Sequence, residues 1–100
     1  MPYFVYILSN SKNTPLYVGI TDKLEVRASE QKNKIFRNSL ASKYNLSRLL
    51  YWEIAESAED AILREKHLKN WKKEWKMSLI KSTNPNFKDL SVLINWVDSE

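Results

Sequence analysis

The 100-residue sequence has no cysteine, one glycine, one histidine and three prolines. Without cysteine there is neither a disulfide framework nor a thiolate-bound zinc, and the lone His67 removes the histidine-rich metal sites as well. Packing alone must hold the fold. No run of residues approaches the ~20 apolar positions of a membrane span. The opening Met1-Pro2-Tyr3-Phe4 lacks the basic and apolar regions of a secretion signal. The expectation is a soluble cytoplasmic protein with no membrane partner.

At 11.8 kDa the chain has the size of one domain, read as residues 1–100 with a core over about 3–90 and a short C-terminal tail, which excludes a multidomain enzyme. Hydrophobic residues make up 43% and charged residues 28%, enough apolar material for one small core and too much for a disordered tail. Four Trp, five Tyr and three Phe supply much of it, because aromatic rings bury large areas. A net charge of +4 and a pI near 9.3 suit an anionic partner such as nucleic acid, but ordinary soluble domains are often as basic.

The run Tyr3 to Leu8 is β-branched and aromatic throughout, too short for a helix, and predicts a strand buried on both faces. A second strand is expected over Leu16 to Thr21, and the short polar connection makes the pair an antiparallel hairpin. From Asp22 the period changes. Leu24, Arg27, Ala28, Gln31 and Ile35 recur at helical spacing, predicting a first helix capped by Asp22. Residues 36–47 are polar and irregular, and Leu49 to Ile54 reads as a third strand. Ser57 with Asp60 resembles a capping box for a second helix whose inward stripe is Ala58, Ala61, Ile62, Glu65 and Leu68. Trp71, Trp75 and Leu79 continue the stripe into a third helix ended by Asn84-Pro85, and Leu90 to Val97 is expected to pack as a last short helix. The fold class is α+β, a small three-stranded antiparallel sheet flanked by helices.

Polar groups on apolar faces need a partner or a task, because burying an unpaired charge is costly. Arg27 and Gln31 share the inward stripe of the first predicted helix, and Glu65 lies on that of the second. An Arg27–Glu65 ion pair, or side chains snorkelling from the stripe's edge, would satisfy them, and so would a functional site. Gly19, the only glycine, lies inside a predicted strand beside Tyr17 and Thr21, where it loses packing and backbone entropy. Either something approaches that backbone closely, with Tyr6 near the same pocket, or the strand has a bulge there. Arg64, Lys66, Lys69, Lys72, Lys73, Lys76 and Lys81 interleave with Trp71 and Trp75 against Glu65 and Glu74 alone. This stretch is a solvated helix face or a phosphate-contacting surface, its tryptophans read as core rather than as stacking platforms. His67 lies two residues from Glu65 on the opposite side of its helix and is read as a surface residue.

In order, Phe4-Val5-Tyr6, Tyr17-Val18-Gly19, Arg27, Glu65 and Asn84 match a known pattern, and the chain resembles a GIY-YIG nuclease domain of the small stand-alone bacterial branch. Both tyrosines and the second motif's glycine are kept, while Phe4 stands for the first motif's glycine. The resemblance covers nearly the whole chain and includes Arg27 ten residues after Tyr17, together with the segments 64–71 and 84–90. It implies a metal-dependent endonuclease acting on DNA, branched or single-stranded, by structure rather than by a long base sequence. DNA repair or recombination is the implied setting, and a protein partner would supply specificity.

The resemblance also implies roles. Glu65 would be the sole carboxylate ligand of Mg²⁺ (or Mn²⁺), an ion that keeps several waters. Arg27 would stabilise the pentavalent transition state with its planar donor fork. Tyr17, with Tyr6 beside it, would orient or deprotonate the attacking water. Gly19 would let the scissile phosphate approach, and Asn84 would orient groups by hydrogen bonding. Gln31, Lys69, Lys72 and Lys73 would contact substrate. At position 31 many members carry His or Tyr, whereas Gln cannot accept a proton at neutral pH. The alternatives are therefore a catalytically impaired nucleic-acid-binding module, and a structural or protein-interaction domain in which Arg27 and Glu65 form an ion pair.

Overall fold

Because β-branched and aromatic side chains fit a pleated surface, Tyr3–Ser9 forms strand β1, with Val5 through Ser9 all buried. It is the middle strand of a three-stranded antiparallel sheet, flanked by β2 (Tyr17–Thr21) and β3 (Arg48–Ala55) in the order β2-β1-β3. The computed structural model describes residues 2–10, 12, 15–24, 46 and 48–93. A middle strand covered on both faces has no polar side to show, which is why the expected continuous apolar run is what the sequence contains. Ser9, fully buried, donates its hydroxyl to the Pro15 carbonyl at 2.7 Å and ties the two ends of the hairpin connection.

Alternation along β1 divides the core in two. Val5 and Ile7 join Val18, Leu50, Tyr51, Ala61, Leu68 and Ile80. Tyr6 and Leu8 join Leu24, Leu46 and Leu49, with Phe4, Tyr17 and Leu90 packed against them. Ile7 pairs with Tyr51 but Leu8 pairs with Leu49, so Leu50 is the extra residue of a β-bulge in β3. The bulge turns two adjacent side chains, Leu50 and Tyr51, into the same cluster.

Helix α1 (Ala58–Asn70) starts at Ser57, whose Oγ accepts the Asp60 N–H at 3.1 Å, with Glu59 and Asp60 in the first turn complementing the helix dipole. It lies across β1 and β2. Helix α2 (Lys73–Thr83) reaches β3 and ends at Asn84. A short 3₁₀ helix, Leu90–Leu93, follows, and Asp89 fastens it to the sheet by accepting the N–H groups of Leu49 at 3.1 Å and Ser91 at 3.0 Å.

Two stripe assignments need correction. Ile62, expected inward, is 43% exposed, because Ala61 and Leu68, seven residues apart, set the buried line of α1. Trp75, expected to continue that line, is 52% exposed. The backbone is extended at Trp71 and Lys72, so the helical register is broken between α1 and α2 and no single stripe runs through both. The first predicted helix beyond Leu24, including Arg27 and Gln31, lies outside the described residues, as do residues 94–97 of the tail. Among the described residues no helix is long and apolar enough to cross a membrane.

Candidate active site

Gly19 pairs with Tyr6 in an unbroken β1–β2 ladder, so it does not mark a bulge. A Cβ placed on Gly19 would stand 2.6 Å from the Tyr6 Oη and 2.7 Å from its Cζ. The group that approaches this backbone is thus the Tyr6 ring itself, buried to 3% exposure. Only glycine leaves room for that ring to lie flat over the neighbouring strand. Tyr17, two residues before Gly19 on the same face, packs half-buried against the cluster that contains Tyr6. The structure therefore brings Tyr6, Tyr17 and Gly19 together.

Glu65 is held by α1, the helix that crosses β1 and β2 from the opposite face. Its side chain is 20% exposed and meets the Lys69 ammonium one turn on, Oε2 to Nζ 3.2 Å. Surface pairs of this kind are worth little, so the lysine is an easily displaced partner rather than a lock. Among the described residues no group of three or more His, Cys, Asp or Glu side chains converges. A lone carboxylate with solvent access is a donor set that fits Mg²⁺ or Mn²⁺, ions that complete their shell with water and substrate phosphate, and does not fit zinc. The expected partners Arg27 and Gln31 lie outside the described residues.

Asn84 is 5% exposed and thoroughly bonded. Its Nδ2 donates to the carbonyls of Leu50 at 3.1 Å and Lys88 at 2.9 Å, and its Oδ1 accepts the Lys88 N–H at 3.0 Å. It thereby satisfies the carbonyl of the bulge residue and closes a turn in which Phe87 takes a positive φ of 51°, an uncommon conformation for a bulky side chain. The Phe87 carbonyl accepts from Arg48 Nη2. Lys69 and Lys72 are exposed at the end of α1 and the start of α2, Lys73 is exposed one residue further, and His67 is exposed as expected.

A second constellation escaped the sequence reading. Arg64 forks onto Glu53, Nε to Oε2 2.7 Å and Nη2 to Oε1 3.2 Å, while the Tyr51 hydroxyl donates to Glu53 Oε1 at 2.5 Å. Arg64 also lies over the Trp71 ring, 5.4 Å from its centroid. Counting Arg64 among the solvated bases was thus mistaken: it is committed to an acid on β3. Burial, reinforced by donation to the Glu53 carboxylate, pushes the Tyr51 phenol up to about 12 and excludes it as a base near neutrality. The signal was present in the sequence, since Tyr51 and Glu53 alternate onto one strand face, but nothing local specified which helix would cover it.

Residues 2–78 match the family described as GIY-YIG catalytic domain, a span that holds every candidate above except Asn84. Among solved structures the chain is similar to the solution NMR structure of the UPF0213 protein BH0048 from Bacillus halodurans, with a TM-score of 0.55 and 18% identity over 100% of both chains, a likeness of fold. No curated protein matches.

Proposed function

The chain belongs to the GIY-YIG catalytic domain family, and from that premise we propose that it is a metal-dependent endonuclease that hydrolyses DNA phosphodiester bonds. The observation that carries this reading is that Tyr6 and Tyr17, the tyrosines of the two family motifs, share one face of the sheet, with the Tyr6 ring seated over the chain's one glycine. On this reading selection rests on DNA structure or on a partner protein, with repair or recombination in the cytoplasm as the setting.

On this reading Tyr17 holds the attacking water and takes up its proton, with Tyr6 hydrogen-bonding beside it. Arg27 binds the non-bridging oxygens, whose charge rises as water adds to phosphorus and the opposite P–O bond breaks. Glu65, on the other face of the sheet, reaches the same phosphate past the edge strand β2 and would hold Mg²⁺ or Mn²⁺, which when bound supplies Lewis-acid neutralisation of the phosphate. Gln31 contributes hydrogen bonds, Lys69, Lys72 and Lys73 contact phosphates, and Asn84 acts as a positioning residue through the β3 bulge.

The test is cleavage of labelled flapped, branched, duplex and single-stranded DNA with Mg²⁺, Mn²⁺ or EDTA. Cutting by the wild type in metal, reduced at least about a hundredfold in Glu65→Ala and Arg27→Ala with folding intact, is the expected outcome. Retained cutting in either variant overturns the assignment. Gln31 favours one other reading, an impaired nucleic-acid-binding module. A silent wild type with a cutting Gln31→His would establish it, and silence from both would leave binding as the only activity.

A further inference from the structure

Trp75 is one of the exposed large hydrophobic residues for which neither the core nor the proposed active site accounts. Its indole is 52% exposed on the first turn of α2, where a ring of that size loses much of its burial energy. It is nevertheless held in place. Trp71 and Trp75 meet edge to face, centroids 6.1 Å apart at 83°, and the Lys72 ammonium lies over the Trp75 ring, 5.8 Å from its centroid. Trp71 is in turn anchored by the Arg64 guanidinium. A half-exposed ring held by a second indole and a cation offers the rest of its surface to another π-system.

The charge around it is one-sided. Between residues 66 and 81 stand Lys66, Lys69, Lys72, Lys73, Lys76 and Lys81 against Glu74 alone. Lys69, Lys72 and Lys76 gather at the elbow between α1 and α2, where the Lys76 Nζ donates to the Lys69 carbonyl at 3.4 Å. The same elbow begins one turn beyond Glu65, to which Lys69 is bonded. A basic surface with an exposed, pre-oriented aromatic ring matches the chemistry of an unpaired strand, whose bases have free π-faces and whose phosphates are anionic. A duplex offers the phosphates but keeps its bases stacked away from the ring.

We propose that the α1–α2 elbow binds single-stranded DNA, with one base stacked on Trp75 and the flanking phosphates on Lys69, Lys72 and Lys76. This rests on the nuclease reading and narrows its substrate class to DNA with an unpaired segment, so that Glu65 works where that segment meets the elbow.

The experiment is fluorescence anisotropy in EDTA, where no cutting occurs, with a labelled oligo-dT, an oligo-rU of the same length and a blunt duplex. Wild type, Trp75→Ala, Trp75→Phe and Lys72→Gln are compared after circular dichroism melts. Trp75→Ala is expected to weaken oligo-dT binding about five- to a hundredfold while leaving duplex binding within about twofold, and Trp75→Phe to retain most of it. Lys72→Gln should flatten the slope of log affinity against log salt by about 0.7. An unchanged oligo-dT affinity in Trp75→Ala overturns the proposal, as does equal weakening of strand and duplex, or a preference for oligo-rU. If Trp75→Ala melts early, Trp75→Phe and Lys72→Gln decide alone. Metal-dependent cutting with no selective effect at Trp75 would fell this proposal and spare the nuclease, whereas a wild type that binds no DNA would fell both.

Discussion

The two faces of β1 carry residues from the same short strand and are built on different rules. On the side of Val5 and Ile7 the buried neighbours are aliphatic side chains and Tyr51, with Tyr3, Trp71 and Phe87 packed around them, and apart from the Tyr51 hydroxyl little in that cluster demands one residue over another of similar volume. On the side of Tyr6 and Leu8 a buried phenol occupies space that exists only because position 19 lacks a side chain. Interchangeable contacts stabilise a fold. The Tyr6–Gly19 contact tolerates one residue type at position 19, and so fixes where the phenol sits.

The comparison can be broken first on the helix-packed side, at its polar edge. Asn84→Ala strips partners from the Leu50 and Lys88 carbonyls and from the Lys88 N–H, and is expected to cost about 3 kcal/mol, read as a lowered urea midpoint. A loss of cleavage in proportion to the unfolded fraction would assign Asn84 to the fold. A loss in a fully folded sample would assign it to positioning of the site.

On the tyrosine side, Gly19→Ala drives a methyl into the Tyr6 ring and should cost about 2 kcal/mol. Combining it with Tyr6→Val should recover most of that cost without recovering cleavage, a non-additivity expected only for residues in direct contact. Additive effects would mean that the strand, and not the ring, rejects the methyl.

The smallest effect sharpens the contrast by pH. Because the Tyr51 phenol titrates at about 12 in the folded chain against about 10 unfolded, the folded state holds the proton longer. Its stabilising contribution is complete below pH 10 and disappears between pH 10 and 12. Tyr51→Phe should therefore be less stable than wild type by about 1 kcal/mol at pH 8, with the gap closing over that window. A gap that persists to pH 12 would show that the Tyr51 phenol titrates no later in the folded chain than in the unfolded one.

Much of this architecture is legible in local patterns. The unbroken apolar run of β1, the polar hairpin connection, the Ser57 cap and the Asn84-Pro85 stop each act through neighbours in the chain. Of the stripe continued through Trp71, Trp75 and Leu79, Trp71 and Leu79 pack against the core and Trp75 does not, since two extended residues between α1 and α2 reset the helical phase. Gly19 stood out by being alone, and the order of Tyr6, Tyr17, Arg27 and Glu65 indicated the family before any contact was known.

By itself, then, the sequence determined the strands and the helices among the described residues, the antiparallel pairing and the short set of residues worth suspecting, because propensity, capping and period are properties of adjacent residues. Only the tertiary structure decided that Tyr6 fills the space over Gly19, that Asn84 closes the β3 bulge, that Arg64 belongs to Glu53 and that Trp75 faces water. Each of these depends on how one element lies against another. Such distances are set by the packing of the whole core, and no periodicity within a single segment encodes them.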